Sequence, residues 1–424
     1  MSSETKASAL CIESEATIAP LSKDSEEPLG FRANSQNQNG SSRLKLPDWV
    51  WAGQIPSLNG LRALAVSCVI LYHLKLSLLF PRVPALWRLE VWGHSGVSLF
   101  FVISGFLITL LLLRESKKTG SISLKNFYIR RACRILPAFY VFLLAVFILS
   151  QFGLTHVSDR TWVGALTYSL NYVPHERGPV GHFWSLCVEE HFYLLWPLVL
   201  YLFGIRKGWI YATICVVLAP ILRFLTALHF GFEGSNVSLA GAIYTTTHCR
   251  VDSIALGCLL AYALTSARSP KWIRLSKRGI WLLGILATGI LVTNTFAPVD
   301  DSAYSLVFSS SVDSACWVAL VAVATICPPG ILSSVLNARP VAFVGLLSYS
   351  IYLWQQPFTV TYETLAQICH FPYNVILVFL LASLSYFLIE QPFLRLKDRF
   401  NDRIQSRDKS RLTIDAQERA KAAY

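Results

Sequence analysis

The sequence predicts an all-α polytopic membrane protein with about ten transmembrane helices. Of its 424 residues, 54% are hydrophobic and only 15% are charged, whereas soluble domains carry about 25% charged residues. The mean hydropathy is +0.48. Apolar runs of about 17–25 residues recur along the body of the chain, and such runs match a hydrocarbon core about 30 Å thick. These observations exclude a disordered chain and argue against an ordinary soluble enzyme.

Ten apolar segments are predicted to cross the membrane: 58–78, 96–113, 135–152, 186–204, 209–229, 248–265, 280–296, 305–327, 341–360 and 373–391. The weakest is 248–265, because it contains Arg250 and Asp252. Segment 162–172 is too short to cross, so we expect a re-entrant or interfacial piece there.

The polar ends of the chain are predicted to be cytosolic tails. Residues 1–50 carry seven acidic and five basic residues and lack the pattern of a cleavable signal peptide, which predicts a disordered N-terminal tail. Residues 396–424 contain no apolar run and are predicted to form a basic C-terminal tail. Residues 51–395 then form the membrane domain.

The distribution of Lys and Arg predicts the orientation. The predicted connections on one side hold few basic residues: Arg82, Arg88, Arg160 and Arg177, with Lys75 at a helix end. The opposite connections hold fifteen: Arg114, Lys117, Lys118, Lys125, Arg130, Arg131, Arg134, Arg206, Lys207, Arg268, Lys271, Arg274, Lys277, Arg278 and Arg339. The positive-inside rule therefore places both termini in the cytoplasm of a multi-pass cell-membrane protein, of the bacterial inner-membrane type. It also explains the net charge of +12 without nucleic acid.

Motifs for metals and tightly bound cofactors are not found. The ten Cys contain no C-x-x-C pair, and there is no zinc-type His pattern, phosphate-binding Gly loop or G-x-S-x-G. We expect neither a metal ion nor a tightly bound cofactor.

The first predicted helix carries two costly polar residues, Arg62 and His73. They are eleven residues apart, so they fall on one helical face with about 16 Å of rise between them. Charges inside a bilayer usually face a cavity or a partner. The pair is therefore predicted to be catalytic, although an interfacial Arg with a satisfied core His is the alternative interpretation.

Further polar residues lie near the predicted outer ends of other helices. Glu189 is predicted to point inward from the fourth span, although an interfacial aromatic belt with snorkelling acids is the alternative. The acceptor or supporting residues are predicted to be Ser104, His182, Arg223, Arg250 and Asp252. We expect His73, Glu189, Arg223, Arg250 and His182 to meet in one outer cavity.

Two segments near the second span carry weaker signals. Ser98, Ser104 and Gly105 are small and favour close helix packing, with a ligand slot as the alternative. Arg130, Arg131 and Arg134 form a cytosolic cluster. This cluster is either positive-inside charge or a clamp for phosphates, which guanidinium groups bind bidentately.

Seven sequence blocks occur in the order found in a known family: SLNGLRALAV with LYH (57–73), GVSLFFVISGFLIT (96–109), FYIRRACRILPAFY (127–140), HFWSLCVEEHFYLLWP (182–197), RVDSIALGCLLA (250–261), VGLLSYSIYLW (344–354) and IEQPF (389–393). From about residue 54 to 395, the chain resembles the acyltransferase-3 family of integral-membrane O-acyltransferases. It departs from the family at two positions: Asn59 stands where Asp is common, and Gln355 stands where His is frequent.

The resemblance implies transfer of an acyl group, usually acetyl, from acyl-coenzyme A to a hydroxyl of a cell-surface or exported carbohydrate or glycolipid. His73 is then the candidate general base, because imidazole titrates near ~6.5. Glu189 would orient it or contact the acceptor, and the arginines would hold the donor. A covalent acyl-imidazole relay is the variant mechanism. The rival classes are a transporter or flippase of a sugar- or lipid-linked substrate, and a non-catalytic scaffold or receptor.

Overall fold

The computed structural model describes residues 50–51, 53–81, 89–173, 178–230, 237–265, 277–296, 304–326, 330–359, 364–365 and 369–396. Helices dominate this part of the chain, and no strand occurs in it. Nearly all of the two predicted tails lies outside the described residues, as do several of the loop arginines that predict the orientation.

The described helices follow one another with short connections. They are α1 (Leu58–Lys75), α2 (Leu89–Thr119), α3 (Leu124–Gln151), α4 (Asp159–Leu166), α5 (Phe183–Phe203), α6 (Gly208–Phe230), α7 (Val237–Thr245), α8 (Thr247–Thr265), α9 (Lys277–Phe296), α10 (Ser309–Ile326), α11 (Ile331–Leu336), α12 (Arg339–Trp354), α13 (Gln356–Thr359) and α14 (Tyr373–Ser385). A π-helical turn over Tyr386–Glu390 extends α14. Every one of the ten predicted apolar segments contains a helix.

Six helical stretches are long and apolar enough to cross a membrane: Trp92–Thr119, Leu124–Gln151, Phe183–Phe203, Ile205–His229, Tyr304–Ile326 and Tyr373–Leu396. The remaining predicted spans are shorter or more polar. For example, α12 has 16 residues, fewer than the roughly 20 that a straight span needs. A membrane protein with several spans is therefore supported, and the count of ten stays a prediction.

The predicted re-entrant or interfacial segment 162–172 is a short helix followed by a turn. Ser158 caps α4 by accepting a hydrogen bond from the backbone N–H of Thr161 at 3.4 Å. A 3₁₀ turn follows over Leu170–Tyr172. The segment is thus too short to cross a bilayer, and its place relative to the membrane stays a prediction.

Glycines allow α2 to pack closely against α8. A Cβ on Gly105 would lie 1.9 Å from the carbonyl oxygen of Ile254, and one on Gly257 would lie 2.1 Å from that of Val102. Close packing is therefore confirmed for Gly105. On the other side of the core, α1 packs against α2 and α12. There, a Cβ on Gly345 would lie 1.8 Å from the carbonyl oxygen of Asn59. This packing turns the polar residues of α1 toward the interior.

Candidate active site

A large cavity opens beside the C-terminal half of α1. Its volume is about 950 Å³, and five histidines lie in its wall: His73, His94, His182, His229 and His248. We call it the histidine cavity. It falls within the 300–1,000 Å³ range of small-molecule sites. Asn171, Thr245, Thr246 and Gln356 add neutral polar groups to the lining.

Two of these imidazoles present unpaired nitrogens. Both ring nitrogens of His182 and Nδ1 of His73 are buried, and none of the three has a hydrogen-bond partner among the described residues. The backbone of His182 is held firmly, since its N–H donates to Oε1 of Gln356 at 2.7 Å and its carbonyl accepts from the Tyr352 hydroxyl at 3.1 Å. Buried polar groups are normally satisfied, so unpaired imidazoles beside a cavity indicate a place for a ligand or for chemistry.

Aromatic rings form one wall of the histidine cavity. The centroids of Tyr72 and His94 are 5.9 Å apart, those of His94 and Tyr244 are 4.2 Å apart, and those of Tyr244 and Trp184 are 4.7 Å apart. The Arg250 guanidinium lies behind this wall, 5.2 Å from the centroid of Tyr244. The wall offers broad apolar faces beside polar edges, a surface suited to a ring-shaped acceptor with hydroxyl groups.

A second, smaller space lies beside the N-terminal half of α1. Its volume is about 90 Å³, and its polar wall is formed by Arg62, Arg131, Arg134, Ser104, Ser185, Glu189, Glu190, Tyr193, Ser348, Tyr349 and Tyr352. We call it the arginine pocket. Arg131 and Arg134 are three residues apart and share one face of α3. The three guanidinium groups outnumber the two carboxylates, Glu189 and Glu190, and this excess of positive charge suits an anionic ligand.

Glu189 is anchored in the arginine pocket. Its Oε1 accepts a hydrogen bond from the Ser104 hydroxyl at 2.5 Å, and that hydroxyl accepts one from Tyr193 at 3.0 Å. The Arg131 guanidinium lies 4.9 Å from the centroid of the Tyr193 ring. The expectation that Glu189 shares a cavity with His73 is therefore wrong. Glu189 lies seven residues beyond His182, and two helical turns of about 5.4 Å carry it away from the histidine cavity.

Arg130 does not belong to the pocket. Its Nη2 donates to Oε2 of Glu115 at 2.8 Å, and Oε1 of Glu115 accepts from the backbone N–H of Ser123 at 3.0 Å. Arg130 therefore ties the end of α2 to the start of α3. Because neighbouring helical residues point about 100° apart, Arg130 and Arg131 cannot serve the same space. The predicted three-arginine cluster is thus split.

Arg62 and His73 open into adjoining spaces. Arg62 lines the arginine pocket, and His73 lines the histidine cavity. Val97 and Tyr352 line both spaces and form the partition between them. The Tyr352 hydroxyl lies 2.5 Å from the Ser185 hydroxyl, which holds the ring in place. One helix thus contributes a fixed cation to one space and an imidazole to the other.

Arg223 and Asp252 make a buried ion pair elsewhere. Their side chains are 0% exposed, and Nη2 of Arg223 lies 2.7 Å from Oδ2 of Asp252. Ser311 of α10 donates to the same carboxylate oxygen at 2.5 Å, so the pair joins α6, α8 and α10. Neither residue lines the histidine cavity or the arginine pocket. The expectation that Arg223 reaches the outer cavity is wrong, because Asp252 holds its guanidinium.

Arg250 also stays behind the cavity. Its Nη2 donates to the Ser98 hydroxyl at 2.8 Å, and the residue is 1% exposed. It supports the aromatic wall through Tyr244 and does not line the cavity itself. Of the five residues expected in one outer cavity, the structure brings only His73 and His182 together there.

The sequence interpretation missed several groups at these sites. Tyr193 and Tyr352 line the arginine pocket, and Gln356 holds His182. Glu390, which is 5% exposed, accepts a hydrogen bond from Ser350, and its charge interacts with Arg134 and Arg62. All four lie inside or beside the quoted sequence blocks. These polar residues interrupt apolar runs, and that pattern in the sequence could have identified them.

Metal chemistry finds no support in this part of the chain. Among the described residues, no group of three or more His, Cys, Asp or Glu side chains could hold a metal ion. Among the histidines of the cavity, His94 packs against the rings of Tyr72 and Tyr244.

The helical fold indicates a multi-pass membrane protein with two polar spaces, one with three arginines in its wall and one with five histidines. The family model of the acyltransferase domain known as acyltransferase-3 matches residues 55–393. The chain therefore belongs to the acyltransferase-3 family. No solved structure matches the chain.

Curated relatives carry names that refer to O-acetyl transfer. The chain is 32% identical over 362 residues to "O-acetyltransferase OatA" of Staphylococcus aureus, a match covering 80% of this chain and 57% of that protein. It is 31% identical over 362 residues to "Peptidoglycan O-acetyltransferase OatA" of Listeria monocytogenes, covering 80% of this chain and 55% of that protein. The match thus spans a little over half the length of these relatives.

Proposed function

We propose that this protein transfers an acetyl or other short acyl group from acyl-coenzyme A to a hydroxyl of a cell-surface or exported carbohydrate or glycolipid. The observation that carries the proposal is the pairing of Arg62 and His73, which open from one helix into an anion-favouring pocket and a cavity with unpaired imidazoles. The names of the relatives, O-acetyltransferase and peptidoglycan O-acetyltransferase, support the acetyl group and a glycan acceptor.

The donor docks at the arginine pocket in this proposal. Arg131 and Arg134 hold its phosphates, since guanidinium groups bind phosphate oxygens in pairs. The space of about 90 Å³ is smaller than a typical ligand pocket. It would therefore admit only a portion of the donor, with the phosphates against Arg131 and Arg134 and the rest of the nucleotide outside. Both termini and the donor lie on the cytoplasmic side of the cell membrane.

The acceptor enters the histidine cavity, which faces the opposite side of the membrane. His73 takes the proton of the acceptor hydroxyl as the oxygen forms its bond to the acyl carbon. The carbon–sulfur bond breaks, and coenzyme A leaves as a thiolate that receives a proton. Arg62 and Glu189 fix the donor end, while Arg250 supports the aromatic wall against which the acceptor packs.

The test compares purified wild-type protein with His73→Ala in proteoliposomes. The assay follows release of free coenzyme A and labelling of peptidoglycan fragments by radiolabelled acetyl-coenzyme A. Because a positioned base contributes about 10²- to 10⁴-fold, turnover of His73→Ala should fall by at least about 100-fold. His370→Ala is the matched control, since His370 lines neither space.

Three outcomes decide the proposal. Wild-type turnover in His73→Ala would contradict the assignment of His73 as the general base. Movement of a labelled glycan across the vesicle without acylation would replace the transferase by a transporter or flippase. Hydroxylamine-labile label on His73 in the absence of acceptor would turn direct transfer into a two-step acyl-imidazole relay, with the transferase reaction retained.

A further inference from the structure

Two adjacent glutamines at the end of α12 differ sharply in how they are bonded. Gln356 is satisfied at both ends of its amide: Oε1 accepts from the His182 N–H at 2.7 Å, and Nε2 donates to the Gly178 carbonyl at 3.0 Å. Gln355 is 0% exposed, yet neither Oε1 nor Nε2 has a hydrogen-bond partner among the described residues. A buried, unpaired amide is costly and requires an explanation.

The backbone of Gln355 is not the reason for this unpaired amide. Its N–H donates to the Ile351 carbonyl at 3.2 Å, and its carbonyl accepts from the Phe358 N–H at 3.3 Å and from the Thr359 hydroxyl at 3.0 Å. The main chain is thus fixed at this position. The side-chain amide, in contrast, makes no hydrogen bond with any described residue.

The Val69 carbonyl and the Gln355 amide both lie beside the His73 imidazole, and neither forms a well-aligned hydrogen bond with Nδ1. The buried, unpaired ring nitrogen of His73 is Nδ1. Gln355 does not line the histidine cavity, whereas His73 does. Any effect of Gln355 on a ligand in the cavity must therefore pass through His73.

We propose that Gln355 is a positioning residue for His73, whose amide oxygen accepts the Nδ1 proton of the imidazole when substrate binds. This interaction fixes the tautomer in which Nε2 is unprotonated and able to receive the acceptor proton. Hydrogen bonds of this kind are often long in the free enzyme and tighten in the complex. The inference rests on the proposed transferase function.

A neutral amide suits this position. The imidazole needs an acceptor for the Nδ1 proton, and a carboxylate would bring a charge into a fully buried site. Gln355 stands where the resemblance to the family leads one to expect His. Imidazole and amide share the ability to accept one hydrogen bond and donate another, so either side chain can orient His73.

A purely structural role and a positioning role of Gln355 predict different kcat values for Gln355→Met, because only the positioning role predicts a loss. A methionine removes two buried unpaired polar atoms. If Gln355 has only a structural role, the substitution should therefore leave the stability of the protein unchanged or raise it. The positioning role predicts an unchanged or higher melting temperature together with a fall in kcat of about 10- to 50-fold. The KM values for acetyl-coenzyme A and for the glycan acceptor should stay within about 2-fold, because Gln355 touches neither.

Gln356→Met is the control for thermal stability. It leaves the His182 N–H and the Gly178 carbonyl unpaired, so it should lower the melting temperature. Gln355→His should restore kcat to within about 3-fold of wild type, because it returns an acceptor beside Nδ1.

The measurements are steady-state kinetics in proteoliposomes and thermal unfolding in detergent on all four proteins. Wild-type kcat in Gln355→Met would overturn the inference. So would a parallel loss of kcat and melting temperature in Gln355→Met with no rescue by Gln355→His. Absence of transfer by the wild-type protein would instead overturn the proposed function, which keeps the two failures distinguishable.

Discussion

The histidine cavity and the arginine pocket adjoin along one helix, but they differ in size and in charge. The cavity encloses about 950 Å³, and no Lys, Arg, Asp or Glu occurs among its described lining residues. The pocket encloses about 90 Å³ and is lined by three arginines and two glutamates. Arginine and glutamate side chains thus line one space, and histidine side chains line the other.

This separation suits a reaction with one anionic and one hydroxylated substrate. Fixed charges bind a phosphorylated donor tightly. Beside the acceptor, the same charges would compete with the imidazole for hydrogen bonds and would hold water. A partition of only two side chains, Val97 and Tyr352, keeps the spaces apart. The comparison therefore predicts that mutations on either side change different kinetic constants.

The largest effect is expected at Arg62, which lines the arginine pocket from α1. Its charge interacts with Glu189 and Glu390 in a buried setting. Removal of one partner of a buried charge cluster costs about 3–5 kcal/mol of folding stability. Loss of one preorganised electrostatic contact at a reacting group costs about 10²- to 10³-fold in kcat. Arg62→Ala should therefore lower kcat/KM by at least about 100-fold, measured with acetyl-coenzyme A and glycan fragments in proteoliposomes.

Arg62→Lys sharpens this prediction. The ammonium group keeps the charge but lacks the planar fork of the guanidinium. We expect a loss of about 10-fold, between the wild type and Arg62→Ala. Insertion is checked by gel filtration of the solubilised protein. Wild-type turnover of a monodisperse Arg62→Ala protein would remove Arg62 from the site.

A smaller effect is expected when Arg131 and Arg134 are replaced together by alanine. Both line the arginine pocket, so their loss should raise the KM for the donor by about 10- to 100-fold and leave the acceptor KM unchanged. Arg130→Ala is the control from the same helix. It lies outside the pocket, paired with Glu115, and should change the donor KM by less than about 2-fold.

Competition binding with desulfo-coenzyme A measures the difference in donor affinity between these variants without turnover. An equal effect of Arg130→Ala and of the double variant would contradict the division of the arginine cluster. An unchanged donor KM in the double variant would contradict the phosphate clamp.

The fold was largely predictable from apolar runs, because such runs occur where helices lie in a membrane. Their ends were less predictable. The second run was predicted over 96–113, but α2 continues to Thr119. Backbone hydrogen bonds within a helix do not depend on apolar side chains, so a helix extends beyond the apolar run into polar surroundings.

The site was predictable residue by residue but not as an arrangement. Arg62 and His73 were found because they lie within one helix, where the rise and the turn per residue fix their relation. The prediction of a single shared cavity was wrong because the spacing of residues in the sequence does not show how far along its helix each side chain lies relative to those of other helices. His182 and Glu189 lie on one helix, yet they open into different spaces. Likewise, the partner that holds Arg223 lies on another helix.

The smallest predicted effect tests the partition between the spaces. Val97 is 5% exposed and lines both of them, so Val97→Ala widens the passage by two methyl groups without touching a polar residue. We expect the ratio of kcat/KM for butyryl- over acetyl-coenzyme A to rise by about 5- to 10-fold. This rise lies within the range of about 1–3 kcal/mol that a pocket achieves for one added or missing methylene.

Val102→Ala is the matched control on the same helix. Val102 is 0% exposed and lines neither space, so its truncation also creates a buried cavity, but away from the passage. Its ratio of kcat/KM for butyryl- over acetyl-coenzyme A should equal that of the wild type, even if its melting temperature falls. An unchanged ratio in Val97→Ala, or an equal rise in both variants, would show that Val97 does not limit the acyl chain. The limit on chain length would then lie outside the partition, for example at the mouth of the arginine pocket, where the thioester first enters.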